Sequence, residues 1–310
     1  MFKLKTKHFL TGEELSVVEL GDLLDLAITL KKDRRGQALA NKTIGLLFEK
    51  PSLRTRVSFT AGILEMSGNV IEINSVLRKK EKPEHTIKVL QGYLDGLMVR
   101  TFEHEILEEM VQFSQIPIIN GLSDLHHPCQ VLADLMTLKE KYGKLQGLKL
   151  AYIGDGNNML HSLLLLLPPL GIDVHYACPE KFQPDSEIIR RAKSRATSAG
   201  AKIIEFQKPA KAVKDVHAVY TDVWASMGFE KTSDEEAVHL KNFEGFQINA
   251  ELFSHAHKDA IVMHCMPINI DQEISKAMID HPQAVLFAQS ENRLHAQKAL
   301  MMGLFNERNL

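Results

Sequence analysis

Short apolar and β-branched runs recur at 43–48, 70–73, 96–100 and 117–120, and again at 148–153, 174–177, 202–206, 217–221 and 260–264. Each is too short for a helix and is bounded by polar or turn-forming residues, so each predicts a strand. Between them, 59–66, 103–113, 131–142 and 186–198 carry apolar residues at helical spacing. Strand–helix alternation of this kind predicts an α/β protein with doubly wound parallel sheets and crossover helices. The stretch Tyr142-Gly143-Lys144-Leu145-Gln146-Gly147 follows a helix, precedes a strand and holds two glycines. It predicts a boundary between domains of similar size, 1–142 and 148–290, with about four strands each. A last helical stretch, 293–305, has no strand after it and could pack on either half. Pro168-Pro169 should shorten or kink the first helix of the second domain.

Composition narrows the class. The 310 residues are 45% hydrophobic and 25% charged, ordinary for a globular chain with room for two cores. A net charge of −2 gives no general affinity for nucleic acid. The longest apolar run, 163–170, falls far short of the roughly 18 residues that span a bilayer, and residues 1–10 lack the apolar core of a signal peptide. The three cysteines, Cys129, Cys178 and Cys265, make no CxxC pair, and their odd number is a poor disulfide framework. A cytoplasmic protein is expected, without membrane or nucleic-acid partners.

In open α/β sheets ligands bind at the carboxyl ends of the strands, and there the unusual residues collect. Ser52-Leu53-Arg54-Thr55-Arg56 follows the first strand and opens a helix. Hydroxyls, two guanidinium groups and the first-turn N–H groups form a nest that suits a phosphate; a capped surface helix is the plainer reading. Arg100 closes its strand, and His127 and Gln130 stand one turn apart at a helix start, where they could orient a small carbonyl. Gly154-Asp155-Gly156-Asn157-Asn158 begins like a dinucleotide fingerprint, but Met159 replaces the third glycine, so no nicotinamide cofactor is expected. Asn157 and Asn158 could instead take a carboxylate. Asp222, with Ser226 and the Met227 backbone, offers an anion and donors, the complement of an α-amino acid. His264-Cys265 places a thiol at a strand end, with the two side chains expected on opposite faces. The His, Cys and Asp residues show no metal-ligand spacing, and no metal is expected. Six such clusters on equivalent strand ends suggest a site built between the domains.

These residues carry a resemblance. Phe48-Glu49-Lys50-Pro51-Ser52-Leu53-Arg54-Thr55-Arg56 resembles the carbamoyl phosphate motif of the aspartate and ornithine carbamoyltransferases. His127-Pro128-Cys129-Gln130 is similar to their HPxQ motif, and Asp222 to Gly228 and His264-Cys265-Met266-Pro267 to the ornithine-type DxxxSMG and HCLP motifs. Glu291-Asn292-Arg293 matches the arginine-bearing segment before the family's last helix. The resemblance covers nearly the whole chain, with the motifs in order. It implies two α/β domains joined by interdomain helices, with 291–310 returning to the first, and a homotrimer or multiple of trimers. It implies a carbamoyl phosphate set of Ser52, Leu53 (through its backbone), Arg54, Thr55, Arg100, His127, Gln130, Cys265 and Arg293. The ornithine set would be Asn158, Asp222, Ser226 and Met227, with Arg100, His127 and Cys265 acting in catalysis and Cys265 beside the reacting amine. Leu53 stands where the family commonly has Thr, Met266 where Leu is usual, and His85-Thr86 where Asp-Thr is usual. The loop before His85 often reaches a neighbouring subunit's site in this family, and Lys79, Lys80 or Lys82 could serve there.

Overall fold

The computed structural model describes residues 2–78, 81–224 and 233–305, and the chain falls into two compact units, Met1–Glu140 with Glu291–Leu310, and Lys141–Ser290. The first unit holds strands β1 (Thr43–Phe48), β2 (Asn69–Asn74), β3 (Gly96–Arg100) and β4 (Ile118–Leu122). They form one parallel sheet in the order β2-β1-β3-β4. Its helices are α1 (Val17–Lys32), α2 (Leu53–Glu65), α3 (Pro83–Leu90), α4 (His104–Phe113) and α5 (Pro128–Tyr142), which runs into the second unit. The second unit holds β5 (Lys149–Ile153), β6 (Asp173–Ala177), β7 (Ile203–Glu205), β8 (Ala218–Thr221) and β9 (Ile261–His264), parallel in the order β7-β6-β5-β8-β9. Between them run α6 (Asn158–Leu166), α7 (Ser186–Ala196), α8 (Pro209–Ala212), α9 (Ser233–Lys241) and α10 (Ala250–Phe253); α11 (Lys276–Ile279) follows β9. A last helix, α12 (Leu286–Phe305), begins in the second unit and ends the described chain in the first.

Central strands covered on both faces need apolar residues throughout, and Ile44, Leu46, Leu47, Leu97, Met98 and Val99 are fully buried. Burying one such side chain contributes roughly 1.5–3 kcal/mol. Strand β2 is the edge of its sheet, so Ile71 and Glu72 stay exposed. All nine expected strands are present, each end within two residues of its predicted place. The second sheet has five strands, one for each run predicted there, where about four per domain were expected. Helix α2 starts at Leu53, six residues before its apolar period begins at Phe59, because Ser52 caps a polar first turn. Helix α6 ends at Leu166, and Pro168–Leu170 form a 3-10 turn closed by the left-handed Gly171, the shortening that two prolines impose.

Helix α12 is fastened to α2. Lys298 is fully buried; its Nζ donates to Glu65 Oε2 at 2.8 Å and to the Arg34 carbonyl. Gly62 permits the close approach, since an added Cβ would lie 3.0 Å from Lys298 Cγ. Earlier on α12, Asn292 Nδ2 donates to Thr137 Oγ1 (2.9 Å) on α5 and its Oδ1 accepts from Lys31 (2.8 Å) on α1. These contacts set the rotation of α12 and thereby aim Arg293.

Each sheet has one switch point where the strand order turns back: β1/β3 in the first and β5/β8 in the second. Crevices form outside the carboxyl ends of strands at such points.

Candidate active site

At the β1/β3 switch point, Arg100 ends β3 and faces Phe48 in register, and α2 begins after a four-residue connection from β1. Ser52 is extended (φ −151°, ψ 113°) and its Oγ accepts the Thr55 N–H at 3.4 Å. First-turn N–H groups have no partner within a helix, and their dipoles add positive potential. The Leu53 side chain is 74% exposed, so only its backbone serves the site. Thr55 is fully buried, and its Oγ1 accepts from Arg293 Nη2 at 2.7 Å and Arg100 Nη1 at 3.5 Å. Arginines from a strand end and from the last helix thus converge on one hydroxyl of the capped turn. Arg56 turns away: its Nη2 is 3.1 Å from Glu72 Oε1 and from Asn74 Oδ1, and its guanidinium covers the Phe48 ring. It braces the β2 edge rather than supplying the nest.

His127 is buried at the start of α5. Burial, then the charges of Arg293, Arg100 and Arg54, drive its pKa well below the usual 6.5. Both causes oppose the cation, so the ring is neutral at neutral pH. Ring-carbon NMR, with a His127→Asn sample to identify the signal, should show no protonation midpoint near 6.5; a midpoint there or higher would put a charged imidazole in the site. One turn on, Gln130 Nε2 donates to Asp134 Oδ1 at 2.9 Å. That bond fixes the orientation of the amide and leaves Oε1 buried with no hydrogen-bond partner among the described residues. Cys129 is core: its thiol donates to the Asn120 carbonyl at 3.3 Å, and burial pushes its pKa up to about 12.

At the β5/β8 switch point, Asp222 follows β8 and is buried. Its Oδ1 accepts from the Val223 N–H (2.8 Å) and the Cys265 thiol (2.9 Å), and its Oδ2 from Asn157 Nδ2 (3.0 Å). Asn158, largely buried, is the first residue of α6. Cys265 therefore belongs with Asp222, a pairing 43 positions apart that no spacing foretold. His264 Nδ1 accepts the Met266 N–H at 2.8 Å, so Nε2 carries the ring proton and donates to Glu273 Oε1 at 3.1 Å. Asp222, His264 and Cys265 bring ligand-type atoms within 4.8 Å of one another, but both His264 nitrogens are already engaged. Ser226, Met227, Lys79 and Lys80 lie outside the described residues.

The geometry defines a class: a two-unit α/β protein with an arginine-rich anion nest at one switch point and a carboxylate–thiol pair at the other. Residues 7–140 match the family model described as aspartate/ornithine carbamoyltransferase, carbamoyl-P binding domain, and 146–304 its Asp/Orn binding domain. An ornithine carbamoyltransferase of Oceanobacillus iheyensis is 47% identical over 309 residues, covering 97% of this chain and 95% of that protein. One from Bacillus cereus is 45% identical over 306 residues, 98% and 96% of the two chains. The solved ornithine carbamoyltransferase from Pyrococcus furiosus superposes with a TM-score of 0.95 at 38% identity, covering 100% of both chains. The chain belongs to the aspartate/ornithine carbamoyltransferase family and is an enzyme of its ornithine carbamoyltransferase group.

Proposed function

We propose that the enzyme transfers the carbamoyl group of carbamoyl phosphate to the δ-amine of L-ornithine, giving L-citrulline and phosphate, within arginine metabolism. Asp222 is the observation that carries the choice of acceptor. It is a buried carboxylate at a switch point, suited to a free α-ammonium, and it would repel the second carboxylate of aspartate. Asn158 at the α6 N-terminus, with Ser226 and Met227, takes the α-carboxylate and completes recognition of the amino acid.

The donor is held by Ser52, the Leu53 N–H, Arg54, Thr55, Arg100 and Arg293. The δ-amine resembles that of lysine, with a pKa of about 10.4, and must be neutral to attack. As the N–C bond forms, negative charge grows on the carbamoyl oxygen, where Arg100 and the neutral His127 N–H donate. The buried Gln130 Oε1 accepts from the carbamoyl NH2. The C–O bond to phosphate then breaks, and Arg54, Arg100 and the α2 N-terminus stabilise the leaving dianion. Cys265 donates to Asp222, so it rests as a thiol and is no base. The amine proton passes to the departing phosphate.

We also propose a cytoplasmic homotrimer or multiple of trimers. Leu53, Val57 and Leu64 on α2, Ile71 on β2 and Val89 on α3 are exposed apolar residues of the first unit, which supports self-association there. Among the described residues, no helix is long and apolar enough to cross a membrane.

The test is a citrulline colour assay with carbamoyl phosphate and ornithine, beside carbamoyl-product assays with aspartate, putrescine and N-acetylornithine. Turnover with ornithine alone is expected. Preference for another amine overturns the acceptor reading, and silence on all four overturns the transfer itself.

A further inference from the structure

Asn157 stands where three parts of the second unit meet. It is the N-cap of α6, and its Oδ1 accepts the Met159 N–H at 3.0 Å. The same oxygen accepts the Tyr152 hydroxyl at 3.2 Å, from the end of β5. With Oδ1 taking two donors, the amide orientation is fixed and Nδ2 is left to donate to Asp222 Oδ2 at 3.0 Å. Tyr152 is fully buried, and burial together with Asp222 and Asp155 raises its pKa well above 10, so its proton stays in place to make the bond.

Two jobs are joined in one side chain. The Asn157 oxygen holds the helix start that carries Asn158; its nitrogen holds the carboxylate of Asp222. On the reading proposed above, on which this inference rests, Asn158 meets the α-carboxylate of ornithine and Asp222 its α-ammonium. Those groups are a fixed distance apart in every α-amino acid, so their partners must be held at a matching distance. We propose that Asn157 is a positioning residue for amino-acid recognition: it ties the carboxylate-binding helix start to the ammonium-binding Asp222, without contacting the carbamoyl donor.

Capping and positioning can be separated. Serine and aspartate both cap helices, so Asn157→Ser and Asn157→Asp keep the α6 start. Serine loses the bond to Asp222 Oδ2; a hydrogen bond to a charged group is worth about tenfold in an equilibrium. For Asn157→Ser we expect the ornithine KM to rise about tenfold, with the carbamoyl phosphate KM within about twofold of wild type and little change in Tm. Asn157→Asp puts a carboxylate against Asp222 Oδ2, and two carboxylates at that distance share a proton. The protonated pair attracts the ammonium less. Its ornithine defect, expressed as the ratio of kcat/KM to wild type, should therefore be deepest at low pH and ease as pH rises. Tyr152, His264 and Cys265 lie near the same carboxylate, and Asp155 and Cys178 act on Tyr152 through their charges; all five persist in the variant and largely cancel in the ratio.

Purified full-length wild type and both variants would be assayed for citrulline across pH with each substrate varied in turn. A selective ornithine effect with a pH-dependent Asn157→Asp ratio supports the positioning role. An unchanged ornithine KM in Asn157→Ser overturns it while leaving the acceptor reading intact, as does an equal rise in both KM values with a large fall in Tm. Wild-type silence with ornithine overturns the acceptor reading and this inference with it.

Discussion

Replacing Arg100 with alanine is expected to cut kcat for citrulline formation by about 100- to 1000-fold, the usual cost of removing a donor aimed at charge developing in the transition state. Arg100 ends β3 at the switch point, and its Nη1 reaches the Thr55 hydroxyl that Arg293 also bonds. In the proposed reaction it faces both sites where negative charge grows, the carbamoyl oxygen and the leaving phosphate. Its contribution is therefore larger in the transition state than in the ground state, and kcat should fall more than carbamoyl phosphate affinity. Arg100→Lys should recover only part of the rate, because an ammonium is a point charge and cannot reproduce the planar fork of a guanidinium. A second readout comes from His127. Arg100 is one of three arginines that help hold its pKa down, so the variant should move that pKa upward, observable by NMR. A kcat within a few-fold of wild type would remove Arg100 from the chemistry.

The strands were legible because a strand buried on both faces is a short apolar run between turn residues, and β1 and β3 fall at their predicted boundaries. Helix ends were less so. The stretch α12 was expected from residue 293 but begins at Leu286. Its first turns carry Gln289 and Asn292, both fully buried, so no polar face marks the period there. Helix α1 carries a local signal of its own. Ser16 and Glu19 form a capping box ahead of buried Leu20, Leu23, Leu24 and Ala27. At the site, single motifs named residue types, but not their partners. Thr55 and Arg293 are 238 positions apart, and no local spacing predicts that bond. Asn157 shows the same gap. Its place at a helix start pointed to a bound carboxylate, and the carboxylate it meets is the protein's own Asp222, 65 positions away.

Asp222→Ala is expected to lower ornithine kcat/KM by roughly 30- to 5000-fold, matching the cost of about 2–5 kcal/mol when one partner of a buried hydrogen-bonded charge pair is truncated. Two losses combine. The α-ammonium gives up its counter-charge. The Val223 N–H, the Asn157 amide and the Cys265 thiol also lose the acceptor they share, which leaves buried donors facing a gap. Asp222→Asn separates the two. It keeps one oxygen to accept from Val223 and Cys265 but removes the charge and sets an NH2 against the Asn157 amide N–H, so it should lose less Tm than Asp222→Ala while retaining most of the ornithine defect. Carbamoyl phosphate affinity, measured calorimetrically without ornithine, should stay near wild type in both variants, because the proposed donor-binding residues belong to the first compact unit and Asp222 to the second. The defect should also be specific to acceptors with a free α-ammonium. N-acetylornithine, whose α-nitrogen is an uncharged amide, gains in relative preference if Asp222 reads the α-ammonium. An ornithine kcat/KM that survives both substitutions would place the ammonium elsewhere and leave Asp222 only a structural hold on Cys265 and Asn157.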